Sequence, residues 1–264
     1  MSAESLNVEP SVSLARLFPA GVVAYECHAP FEPAALHPEE ALCVARAVPK
    51  RVGEFAAGRA CARAALARLK IEGFAVRMGA EREPLWPEGV VGSITHSGTF
   101  CGAALARSSS LLALGVDVEE RTAVRADLWR AIATAQELEW LRQLPADRAQ
   151  TMAALIFSAK EAFFKCQFPL TRQWLGFAHV TVQVDAEEFA VAPCRALALQ
   201  SWAAPPWRGR FALWDGHVAT GVALERQPQD TACRADRALH GTHRTVRGNV
   251  VDAAARAPYG PARQ

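Results

Sequence analysis

The run Leu111-Leu-Ala-Leu-Gly-Val-Asp-Val-Glu-Glu120 constrains this chain more than any other stretch. Its apolar first half predicts a largely buried strand over Leu111–Glu119. Side chains alternate across a strand, so Asp117 and Glu119 share one face while Val116 and Val118 take the other. Adjacent carboxylates on one face of a buried strand end repel each other unless a cation or basic group sits between them. A D-x-E triplet by itself is common, and an exposed strand end with two solvated acids would also accommodate it; the apolar run in front favours burial.

The complement of that strand is Phe157-Ser-Ala-Lys-Glu-Ala-Phe-Phe-Lys165. Here the pattern is helical, and Glu161 and Lys165, four apart, share a face. A surface ion pair at this spacing is worth only about a few tenths of a kcal/mol. Two features argue for more. The chain has four lysines against 25 arginines, yet Lys160 and Lys165 both fall in this helix. Ile156, Phe157, Phe163 and Phe164 also make it a buried helix, whose charges must emerge at a specific place. If it lies across the strand end, three acids and a lysine meet in one cleft, a combination suited to a hard cation holding a polyphosphate ester.

Around these segments the patterns predict a strand at Val22–Glu26 and helices over Pro38–Ala47 and Pro49–Lys70. A strand at Phe74–Met78 and a Gly- and Pro-containing loop over 79–89 follow. Val90–Ile94, Phe100–Ala106 and Leu111–Glu119 then read as an antiparallel meander ending in the acidic pair. Helices are predicted over Leu128–Leu144 and Met152–Gln167, and strands at Phe177–Val184, Arg195–Trp202, Arg210–Trp214 and His217–Leu224. Asp215-Gly216 between the last two signals a tight hairpin. The alternation of helices and meanders gives an α+β chain of two halves, 1–110 and 111–225. Residues 1–20 read as an irregular arm. The 226–264 segment is poor in large apolar residues and is expected to be a disordered basic tail.

The charge balance supports that division. Seven arginines and three aspartates fall in 226–264, whereas the remainder holds 22 basic and 24 acidic residues. The body is therefore near neutrality, which gives no ground for a nucleic-acid partner. The tail lacks the interleaved aromatics of a nucleic-acid arm. No run of 18 apolar residues predicts a membrane span. The seven cysteines are scattered and never spaced C-x-x-C, which argues against a zinc site or disulfide framework. With no basic leader and apolar core at Met1-Ser-Ala-Glu-Ser, a cytoplasmic protein is expected.

His96, in Gly92-Ser-Ile-Thr-His-Ser-Gly98, is expected in a turn between two strands. A histidine there can serve as a local hydrogen-bonding group, or its small neighbours can let backbone amides approach a phosphate. Arg51, Arg59 and Arg63 lie on one broad side of the long helix, with Arg82 in the following loop. Solvation explains most helix arginines; anion binding requires the cleft to lie alongside.

Four segments in this order resemble the 4′-phosphopantetheinyl transferases. They are Phe55-Ala-Ala-Gly-Arg59-Ala-Cys-Ala-Arg63, Pro84-Leu-Trp-Pro-Glu-Gly-Val-Val-Gly-Ser-Ile-Thr-His-Ser97, the Gly115–Glu120 strand and the Phe157–Lys165 helix. The wording is similar to the monomeric surfactin-type branch and, within it, to the enterobactin synthase component D group of siderophore biosynthesis. The resemblance spans roughly residues 45–225.

It implies two similar α+β halves related by a pseudo-twofold, each a small antiparallel sheet with packed helices. It also implies transfer of the phosphopantetheine arm of coenzyme A to a serine of an apo acyl, peptidyl or aryl carrier protein, releasing adenosine 3′,5′-bisphosphate. Asp117, Glu119 and Glu161 are the implied Mg²⁺ ligands. Arg51, Arg59, Arg82, Thr95, His96, Lys160 and Lys165 are the implied coenzyme A contacts, and Glu161, Lys165 and His96 the implied catalytic residues, with Glu161 as the base. The other reading is a non-catalytic coenzyme A or carrier-binding protein that keeps the fold. Glu120 departs from the family wording, which often has a basic residue there; Arg121 follows one position late.

Overall fold

The computed structural model describes residues 8–31, 36–194, 206–214 and 216–226. Two antiparallel sheets divide these residues. The first holds β1 (Glu9–Pro10), β2 (Val23–His28), β3 (Val90–Ser97) and β4 (Phe100–Arg107), ordered β1-β2-β4-β3. The second holds β5 (Leu111–Glu120), β6 (Val180–Asp185), β7 (Glu188–Pro193), β8 (Trp207–Trp214) and β9 (His217–Glu225), ordered β5-β9-β8-β7-β6. The helices are α1 (Val12–Ala15), α2 (Pro38–Cys43), α3 (Pro49–Arg68), α4 (Trp129–Ile132), α5 (Ala135–Arg142) and α6 (Ala146–Thr171).

The α+β class follows, and both sheets share a chain path. A strand leads to a long helix and then to a hairpin whose second strand returns antiparallel to the first. In the first sheet this is β2, α3 and the β3–β4 hairpin; in the second it is β5, α6 and the β8–β9 hairpin, with β6–β7 added between.

Side-chain alternation sorts the core into layers. On β4, Cys101, Ala103 and Leu105 pack with Ala57, Cys61, Ala65 and Leu66 of α3. The opposite face of β4 gives Phe100, Ala104 and Ala106 to a layer shared with Leu114, Val116 and Val118 of β5. The third layer lies between α6 and the second sheet, around Ile156, Phe163, Val182, Phe189 and Val222. One layer therefore belongs to both sheets, and the described residues up to Arg226 form one compact unit. Leu14, Leu17 and Phe18 are buried in that shared layer, so the segment expected to be an irregular arm is partly structured and holds the halves together.

The sequence-based meander breaks at β5. Both edges of β4 are occupied, by β2 and β3, so β5 has no main-chain partner there and pairs with β9 instead. It lies beside β3 through side chains. Ser93 Oγ accepts from Val116 N at 3.1 Å, and Thr95 Oγ1 accepts from Val118 N at 2.9 Å. These hydroxyls satisfy edge amides that would otherwise be buried without partners.

The expected strand at Phe74–Met78 does not form, apart from a single bridge between Met78 and Pro84. Side chains have taken its backbone groups: Val76 N donates to Glu40 Oε1 at 2.9 Å, and Arg59 Nε donates to Val76 O at 2.8 Å. The helix expected over Leu128–Leu144 is interrupted at Thr134, which starts α5 through a capping box with Glu137. β3 runs on through His96 to Ser97, so the turn falls at Gly98, with φ +54°. The β8–β9 hairpin forms with Trp214 opposite His217. The strand expected at Arg195–Trp202 and the 227–264 portion of the tail lie outside the described residues.

Candidate active site

Gly115 sets the geometry of the site. A Cβ there would lie 1.9 Å from Ala162 O and 2.7 Å from Cys166 N, so the backbones of β5 and α6 touch and only glycine fits. On the same face of β5, two and four residues on, stand Asp117 and Glu119. Facing them on α6 are Glu161 and Lys165, about one helical turn apart on a single face.

Lys165 Nζ donates to Asp117 Oδ1 at 2.6 Å and to Val116 O at 3.2 Å. Burial alone would lower the ammonium pKa, but the charges of Asp117, Glu161 and Glu119 and the bond to Asp117 hold it above its ordinary value. Burial pushes the Asp117 carboxyl up and Lys165 pulls it back. The second oxygen, Asp117 Oδ2, is buried with no hydrogen-bond partner.

Glu119 receives a bond from Ser97 Oγ at 3.3 Å. Burial and then the charge of Asp117 push its pKa up to about 8. Burial and then Asp117 push Glu161 up to about 7, against the pull of Lys165. The three carboxylates thus repel one another across the strand–helix contact, with Lys165 the cation among them.

Among the described residues no three His, Cys, Asp or Glu side chains converge closely enough to hold a metal ion by themselves. The donor set nonetheless fits a hard cation in an open site. Mg²⁺ is held through one or two carboxylates together with water and substrate oxygens, and a buried carboxylate oxygen without a partner is such a ligand.

Beside the acids lies a basic cradle. Arg51 Nη1 donates to His96 Nε2 at 3.0 Å, which requires that ring nitrogen to be unprotonated. Burial, followed by the charges of Arg51 and Lys165, pushes His96 down to about 4. With 42 % of the side chain exposed, the guanidinium contact is the firmer of these causes. Glu54 Oε2 lies 3.3 Å from Arg51 Nη1 and 3.5 Å from His96 Nε2. Arg59 is buried behind this group, its guanidinium 4.0 Å above the Phe55 ring. Burial lowers its pKa to about 10 while Glu40 opposes the shift, so it stays charged at neutral pH.

Two expected contacts are engaged within the fold, and a third is not tied to the cradle. Lys160 is buried, and its three donors are spent on Ile132 O at 2.9 Å, Phe177 O at 2.9 Å and Glu137 Oε2 at 2.7 Å. Glu137 Oε1 in turn accepts from Val182 N at 2.6 Å. Lys160 is therefore a fold residue tying α6 to α4, α5 and β6, and it has no donor left for phosphate. Thr95 is 1 % exposed; its hydroxyl oxygen accepts from Val118 N and its O–H favours the charged form of Asp117, so it holds the seam under the acids. Arg82 is exposed in its loop at φ +69°, and no ion pair or hydrogen bond among the described residues links its side chain to the cradle. The neighbouring Glu83 is paired with Arg172, just beyond α6.

Sequence reasoning missed Glu54, Ser93 and Glu137. Glu54 had a signal, its three- and four-residue spacing from Arg51 and Lys50, and Glu137 had one in the Thr134-x-x-Glu137 capping box. Ser93 had none, because side-chain pairing between sheets leaves no periodic trace.

Models of two families cover most of this architecture. The 4′-phosphopantetheinyl transferase N-terminal domain matches residues 38–106, and the 4′-phosphopantetheinyl transferase superfamily matches 113–214. The chain is 39 % identical over 220 residues to 4′-phosphopantetheinyl transferase Svp of Streptomyces mobaraensis, covering 80 % of this chain and 89 % of the relative. The chain belongs to the 4′-phosphopantetheinyl transferases.

Phosphopantetheinyl transferase PptT of Mycobacterium tuberculosis is 35 % identical over 195 residues, covering 71 % and 85 % of the two chains. Enterobactin synthase component D of Escherichia coli matches less of it, at 38 % over 122 residues, or 44 % and 54 %. The holo-[acyl-carrier-protein] synthase structure from Thermotoga maritima overlaps 43 % of this chain and 63 % of its own at a TM-score of 0.34 and 20 % identity. As a phosphopantetheinyl transferase, the protein moves the 4′-phosphopantetheine arm of coenzyme A onto carrier proteins. No described helix is long and apolar enough to cross a membrane.

Proposed function

We propose that this transferase is Mg²⁺-dependent and works as a cytoplasmic monomer, with the donor held mainly by residues 1–110 and the acids supplied by 111–225. The observation that carries the proposal is Asp117 Oδ2, buried without a partner beside two more carboxylates whose affinity for protons is raised. Asp117, Glu119 and Glu161 would hold the ion, which supplies charge neutralisation at the diphosphate of coenzyme A.

Arg51 and His96 bind and orient the donor phosphates, and Arg59 adds a fixed positive charge behind them. Lys165 stands where negative charge develops on the departing phosphate and stabilises it. The serine oxygen of the carrier forms a bond to the pantetheine-side phosphorus, the bond from that phosphorus to the bridging oxygen breaks, and adenosine 3′,5′-bisphosphate departs. Glu161, on α6 beside Lys165, is the group placed to accept the serine proton.

Siderophore carriers, including those of enterobactin type, are supported by the 122-residue match to component D. The longer matches to Svp and PptT support testing other peptidyl and acyl carriers with them. Incubation of the full chain with coenzyme A, Mg²⁺ and a panel of apo carriers, read by intact mass, should show the phosphopantetheine increment on one or more. The increment should vanish with chelator and return on adding Mg²⁺. Transfer that persists undiminished in chelator would remove the metal from the mechanism.

A further inference from the structure

Glu54 is out of place in an anion site. It sits on α3 with its side chain 12 % exposed, between Lys50 at 3.8 Å, Arg51 at 3.3 Å and His96 at 3.5 Å. A phosphate arriving at Arg51 and His96 meets a carboxylate already there. We propose that Glu54 is a resident counter-anion of the donor cradle, a positioning residue that holds Arg51, and through it His96, in place when no nucleotide is bound and weakens the grip on the nucleotide when it is. This inference rests on the reading that Arg51 and His96 hold donor phosphates.

The cradle by itself concentrates positive charge, with Lys50, Arg51 and Lys165 all acting on His96. Glu54 offsets that repulsion and keeps the Arg51 guanidinium directed at the ring. Once a nucleotide is bound, the same carboxylate is a like charge a few ångströms from phosphate oxygens. It can turn toward Lys50, which is 77 % exposed and four residues back on the same helix face.

The kinetic consequence follows from the products. Adenosine 3′,5′-bisphosphate keeps the nucleotide phosphates of coenzyme A, so any grip on them is felt equally by donor and leaving product. Such uniform binding does not lower the chemical barrier, and it retains the product. A carboxylate in the cradle loosens both and speeds clearance of the site.

The test is Glu54→Gln in the full chain, which keeps size and a hydrogen-bond acceptor but removes the charge. Titration calorimetry with adenosine 3′,5′-bisphosphate should show Kd falling about tenfold. The KM for coenzyme A and the inhibition constant for adenosine 3′,5′-bisphosphate should fall with it. A purely structural role cannot produce tighter binding, and a partly unfolded preparation lowers the stoichiometry and leaves Kd as it was. Unchanged or weaker nucleotide binding by Glu54→Gln overturns the proposal. Arg51→Ala, run alongside, separates the two levels. If it leaves nucleotide affinity unchanged, the cradle itself is wrongly assigned; if it weakens binding while Glu54→Gln fails to tighten it, only the role of Glu54 falls.

Discussion

At the scale of single residues, the site is a set of charges whose partners decide their use. His96 shows this through pH. Its folded-state pKa of about 4 lies below the ordinary value of 6.5, so the folded protein disfavours its protonation. The stability this contributes is fully present above about 6.5 and is lost as pH falls through about 4. The His96 ring signals in an NMR titration should therefore stay those of a neutral imidazole at pH 6. Saturating adenosine 3′,5′-bisphosphate should move the midpoint upward, because phosphate favours the imidazolium; an unmoved midpoint would take His96 out of the cradle. Lys160 is the opposite case. Lys160→Met leaves Glu137 buried without its cation and should lower the unfolding free energy by about 3–5 kcal/mol in a urea titration. Transfer per folded molecule should change little, and a specific loss of turnover at intact stability would return Lys160 to the cleft. The sequence pattern could not separate Lys160 from Lys165. Helical spacing puts Lys165 on the face of Glu161, but only the packing of α4, α5 and β6 against α6 shows that Lys160 is consumed on another side.

At the scale of elements, the strand–helix contact was legible and its surroundings were not. Alternation along Leu111–Glu120 and the four-residue repeat of α6 were enough to put Asp117, Glu119, Glu161 and Lys165 on facing surfaces, because both periods are set by backbone geometry. The missing strand at Phe74–Met78 and the broken meander were hidden because side chains do backbone work there. Glu40 and Arg59 occupy the amide and carbonyl of Val76, and Ser93 and Thr95 take the amides of β5. Neither substitution leaves a hydrophobic period to read. The element-scale prediction concerns Gly115, where a methyl group would overlap the Ala162 carbonyl. Gly115→Ala must push α6 away from β5, costing about 1–3 kcal/mol or more in thermal or urea melts. The fraction that remains folded should transfer poorly, since Glu161 and Lys165 move with the helix while Asp117 and Glu119 stay on the strand. Wild-type turnover in that fraction would mean that the register of helix on strand does not matter to the chemistry.

At the scale of the whole molecule, the site straddles the line between the sheets. Arg51 and His96 belong to α3 and β3, the carboxylates to β5 and α6, and the seam is closed by hydroxyl groups and one shared apolar layer. A ligand that bridges cradle and acids therefore binds only when both halves are correctly apposed, and its binding energy is added to folding. At a hundredfold excess over Kd this linkage is worth about 2.7 kcal/mol, or about 5–10 °C in Tm for a chain of this size. Coenzyme A with Mg²⁺ should raise Tm by that amount, and coenzyme A with chelator by distinctly less, because the repelling carboxylates then face the diphosphate without a cation between them. Asp117→Asn should abolish the Mg²⁺-dependent part of the shift; in the ligand-free protein it relieves repulsion on Glu119 and Glu161 but takes the charged partner from Lys165, so the shift is read against the variant's own ligand-free Tm. An equal shift with and without the metal, or in the Asn variant, would show that the halves are bridged by the cradle alone and that the acids serve some other purpose.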